Sequence, residues 1–108
     1  ETDVIDTERI LAFRALSIAR KEPSPLSSFD ENEYAKNGNA IDRDPLSMIN
    51  EFRFLRNSTN YLYDSFDEQE KILIGKVVDK TISVNALGFI IIGHSLHHIN
   101  ICKKYYGL

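Results

Sequence analysis

Apolar residues recur along this chain mostly with the period of a helix. The strongest signal is the last quarter, Ser83 to Leu108, which reads SVNALGFIIIGHSLHHINICKKYYGL. It is too long for a strand, and Val84, Leu87, Ile91, Ile101 and Tyr105 return at helical spacing. Ser83 is the expected N-cap and Gly107 the expected stop. The segment is apolar round most of its circumference, which asks for more cover than two neighbouring helices give. That predicts a further helix, lying either before Glu1 or on another chain.

Asp3 to Arg20 predicts the first helix, with Val4, Leu11, Ala15 and Ile18 on one side and Ile5, Ala12 and Leu16 widening the stripe. Asp3, Asp6, Thr7, Arg14 and Ser17 share another arc, expected to face solvent. Glu8 falls among the apolar positions and wants a partner that Arg9 is wrongly spaced to supply. Pro23 and Pro25 stop this helix. The connection Lys21 to Asp44 is irregular, with a short helical turn expected from Asp30 to Ala35, and is long enough to form a lid. Asp44 with Pro45 opens the next helix, Pro45 to Ser65, where Leu46, Ile49, Phe52, Leu55 or Arg56, Thr59 and Leu62 form the stripe. Asp67 with Glu70 resembles a helix start, Gly75 a stop, and Val77 with Val78 a brief extended stretch. Three substantial helices and no convincing sheet make an antiparallel bundle the economical architecture.

Length and charge narrow the function classes. The chain has 108 residues, enough for one small domain spanning 1–108. A net charge of −3 with dispersed Lys and Arg gives no footprint for nucleic acid or an anionic membrane. The run Ala86 to Ile92 falls well short of the ~20 apolar residues a bilayer needs. A single cysteine, Cys102, allows no internal disulfide and fits a cytoplasmic location; it is expected as a buried small hydrophobe.

The candidate chemistry is histidine chemistry. All three histidines, His94, His97 and His98, sit in the last helix. At about 100° per residue, His94 and His98 fall on the most apolar arc, one turn apart, whereas His97 lies near its polar edge. Two inward imidazoles at i and i+4 are able to hold a divalent metal. They are equally read as core histidines tied to backbone or water.

Three stretches, VIDTERILAFRAL, PLSSFDENEYAKN and SVNALGFIIIGHSLHHINICKKYY, together resemble the DinB-like superfamily of YfiT-type metal-dependent hydrolases. The resemblance implies an all-α, antiparallel four-helix bundle, with about three long helices in this chain and the family's first helix missing. It implies a divalent metal (Zn, Ni or Fe) held by His94 and His98, with Asp3 at the position of the family's third histidine. Asp3 then either replaces the imidazole as a carboxylate ligand or marks a lost site. A metal-bound water or thiol would be the nucleophile. Asp6, Glu8, Arg14 and His97 are the candidates for supporting the ligands or binding substrate. The expected function is a divalent-metal-dependent hydrolase or thiol transferase acting on a small molecule, with a low-molecular-weight thiol as a possible substrate and a homodimer as the assembly. The alternative is a metal-free helical bundle serving as an oligomerisation or small-molecule binding module.

Overall fold

The computed structural model describes the backbone of residues 2–38 and 43–106 and the side chains of 4–38 and 43–97. Among the described residues there are five helices and one hairpin: α1 (Thr2–Ala19), α2 (Glu31–Asn37), α3 (Pro45–Asp64), α4 (Glu68–Lys71), β1 (Ile74–Val77), β2 (Lys80–Ser83) and α5 (Val84–Tyr106). The mostly helical character matches the sequence reading, and the three long helices begin and end within two residues of the expected positions. The hairpin was not expected as a paired sheet.

Local chemistry explains the boundaries. The Asp44 carboxylate accepts from the Ser47 N–H and Pro45 occupies the first turn of α3. Asp30 caps α2 through the N–H groups of Asn32 and Glu33. Asp67 and Glu70 form a reciprocal capping box on α4. Ser83 Oγ accepts from the Ala86 N–H at 3.0 Å and caps α5. The end of α1 is a Schellman turn: the N–H of Lys21 bonds Ile18 O and that of Glu22 bonds Ser17 O, both at 2.9 Å. Lys21 takes φ 62° there, a position that favours glycine.

The hairpin pairs Ile74 with Ser83 through Val77 with Lys80, leaving Val78 and Asp79 as a two-residue turn. Val78 has φ 60°, an unusual conformation for a β-branched residue. Leu26 bridges to Val77 on the free edge of β1, donating to Lys76 O and accepting from the Val78 N–H. The long connection therefore starts by closing a sheet edge. Gly75 lies against α1: a Cβ there would stand 2.9 Å from Ile18 Cδ1. The periodicity around Gly75 misled because only four residues per strand carry the pattern, and Gly75 serves a close approach, not a helix stop.

α1 is the central helix and packs against α5, α3 and α2. The core is Leu11, Ala15, Ile18 and Ala19 of α1 with Val84, Leu87 and Ile91 of α5 and Phe66 after α3. Tyr63 and Phe66 meet edge to face at 5.2 Å. Among the described residues, α3 and α5 pack more closely on α1 than on each other, leaving a groove between them. No helix among the described residues is long and apolar enough to cross a membrane.

Candidate functional site

Glu8 organises the polar interior. Its position in the apolar stripe of α1 leaves it 3% exposed, and an isolated carboxylate there would cost several kcal/mol. The partner comes from α3. Arg56 Nε donates to Glu8 Oε1 and Oε2 at 3.2 and 3.1 Å, and Nη2 to Oε1 at 2.6 Å. Thr59 Oγ1, one turn behind Arg56 along the stripe, donates to Glu8 Oε2 at 2.9 Å. Arg56 Nη2 also donates to Ser95 Oγ at 2.8 Å, and Ser95 Oγ donates to Ile92 O at 2.9 Å. The Arg56 guanidinium stacks on Phe52, 5.3 Å from the ring centroid. The clamp joins all three long helices through one charged group.

Beside the clamp is a cavity of about 140 Å³ between α3 and α5, lined by Arg56, Thr59, Asn60, Tyr63, Gly88, Ile91 and Ile92. Tyr63 donates to Val84 O at 2.8 Å, and burial pushes its phenol up to about 12. A wider cleft of about 760 Å³ is lined by Arg14, Phe29, the start of α2 and the hairpin tip at Val78 to Lys80. Arg14 donates to Ser27 O at 2.8 Å and lies 5.4 Å from the Phe29 centroid; burial lowers its pKa. Towards the other end of α3, Glu51 accepts from Arg43 and Arg9, which hold its carboxyl below the ordinary range.

The structure corrects the expected chemistry. Among the described residues, no group of three His, Cys, Asp or Glu side chains is arranged to hold a metal ion. That overturns the metal-dependent hydrolase or thiol transferase, its Zn, Ni or Fe cofactor, and the description of the chain as metal-binding. Glu8, a candidate for supporting the ligands, is instead spent on Arg56 and Thr59. His94 is half-buried, His97 is exposed, and Asp6 is half-buried. Of the expected ligands, Asp3 and His98 lie outside the described side chains, as does Cys102. Arg14 belongs to the cleft near Phe29, not to the Glu8 clamp.

Two other expectations change. Thr7, placed by periodicity on a solvent-facing arc, is 4% exposed, and its Oγ1 has no hydrogen-bond partner among the described residues. Arg56, which periodicity left as an alternative to Leu55 in the α3 stripe, reaches inward to Glu8 and Ser95. The signal that would have found it was already present: a carboxylate stranded in an apolar stripe demands a cation from another element.

No protein-family model matches the chain, and neither a curated protein nor a solved structure matches it.

Proposed function

We propose that this chain is a metal-independent helical bundle that works as an assembly module, pairing with a second copy through the outward face of α5. The observation that carries the reading is the exposed apolar stripe Phe89, Ile92 and Leu96, at 73%, 51% and 52%. These positions are spaced i, i+3 and i+7, so they line one helix face. Ile90 extends the stripe at its margin. A scattered exposed leucine needs no explanation, but a contiguous stripe does.

The stripe suits a copy of itself. Gly93 lies within it, and a Cβ built there meets nothing within 4 Å. In an antiparallel two-fold pairing, Phe89 of each copy sits over Gly93 of the other, as an isologous contact requires. The four apolar side chains offer on the order of 400 Å² per copy, which places the pair at the small end of specific interfaces. In the finer DinB-like reading, α1, α3 and α5 are three helices of a four-helix arrangement, and the second copy covers what a fourth helix would.

Light scattering coupled to size exclusion tests this. The expected result is a dimer that becomes a monomer in a Phe89→Ser/Leu96→Ser variant with unchanged circular dichroism. A monomer at all concentrations up to about 1 mM would overturn the reading, because an assembly module must pair within that range.

A further inference from the structure

The cavity between α3 and α5 is walled by Arg56, Thr59, Asn60 and Tyr63 of α3 and by Gly88, Ile91 and Ile92 of α5, and its surface is mostly apolar. Arg56 lies towards Ile92 through Ser95, and Tyr63 lies towards Gly88. We infer that this cavity is a binding site for a compact neutral ring carrying one hydrogen-bonding oxygen, of the phenol class.

Size sets the first limit. About 140 Å³ is close to the ~150 Å³ of an apolar cavity engineered elsewhere that takes up benzene. A ligand of six to eight non-hydrogen atoms fits, and a nucleotide or peptide does not.

Shape sets the second. A Cβ on Gly88 would lie 2.8 Å from Tyr63 Cε2 and 3.1 Å from Cζ. The missing side chain therefore lets the Tyr63 ring lie against α5. Because the Tyr63 hydroxyl is committed to Val84 O, Tyr63 offers the cavity its ring and not a proton. An aromatic guest meets that ring in an offset or edge-to-face contact.

Charge sets the third. Arg56 is already neutralised by Glu8, which it holds through Nε and Nη2. Nη1 takes no part in that clamp, and a guanidinium carries donors on all three nitrogens. A neutral oxygen beside Arg56 adds no second anion next to the buried Glu8 carboxylate. Asn60, exposed at the mouth, supplies an amide beside it. A carboxylate guest would repel Glu8.

Ile92 belongs to both the cavity wall and the exposed α5 stripe, so the test is run on the monomeric Phe89→Ser/Leu96→Ser chain as well as on the parent. The probe is phenol, followed by isoleucine-methyl and backbone NMR. The expected result is a saturating titration with Kd in the roughly millimolar range for about seven non-hydrogen atoms. Shifts should centre on Thr59, Tyr63, Gly88 and Ile91 in both proteins. Gly88→Ala, whose Cβ crowds the Tyr63 ring in the cavity wall, should weaken binding at least about ten-fold. Asn60→Ala, a surface change that leaves the fold intact, should weaken it about three-fold. Three results would overturn the inference: non-saturating shifts, shifts confined to Phe89, Ile90 and Leu96 in the parent, or benzoate binding more tightly than phenol.

Discussion

One residue decides most of the interior chemistry. Glu8 is charged, nearly inaccessible, and satisfied by Arg56 and Thr59. Removing one partner leaves a buried charge, so Arg56→Met should destabilise the fold by about 3 kcal/mol, whereas Glu8→Leu/Arg56→Met should recover most of that. Urea unfolding of the two variants and the parent checks the non-additivity. Tyr63 gives a pH prediction. Its folded pKa, about 12, lies above the ordinary value of 10.0 because of burial. Its contribution to stability is therefore full below pH 10 and is lost as pH rises towards 12. Ultraviolet titration should show one late-ionising tyrosine, absent in Tyr63→Phe. Glu51 has the opposite sign: Arg43 and Arg9 lower its pKa, so its contribution is present above the ordinary carboxylate pKa and fades as acid is added.

Elements in this chain are delimited by caps and turns whose chemistry is local. Asp30, Asp44, Asp67 and Ser83 each accept the orphan N–H groups of the helix that follows. These signals were legible because a cap needs only residues three or four apart. Two turns carry strain instead. Lys21 and Val78 both adopt positive φ. Replacing either by glycine removes a Cβ clash worth about 1 kcal/mol, more for the β-branched valine, against a smaller gain in unfolded-chain entropy. Thermal unfolding should show Val78→Gly raised in Tm and Lys21→Gly unchanged or slightly raised. Gly75→Ala should go the other way, losing about 1–3 kcal/mol as Ile18 is pushed aside. The hairpin was not legible as a sheet, since strands of four residues offer too few alternations to separate from a helix end.

At the scale of the molecule, α3 and α5 both pack on α1, and the Glu8 clamp ties all three together. The apolar surplus of α5, read from its composition, reappears as exposed Phe89, Ile92 and Leu96. Because no described trio of ligating side chains converges, exhaustive dialysis against a chelator should leave both Tm and oligomeric state unchanged; a loss of several degrees would revive a structural metal. Thermal melts before and after dialysis, with elemental analysis, decide it.

The amino-acid sequence determined the three long helices, the caps at Asp44, Asp67 and Ser83, the apolar stripe of α1, and the fact that Glu8 needed a partner. Each depends on residues within one or two turns of one another. The tertiary structure alone decided which cation reaches Glu8, that Thr7 is buried, that Leu26 closes the hairpin edge, and that a cavity opens between α3 and α5. Those depend on how helices distant in sequence lie against α1, and helical periodicity assigns a side chain to a face without saying which element meets it.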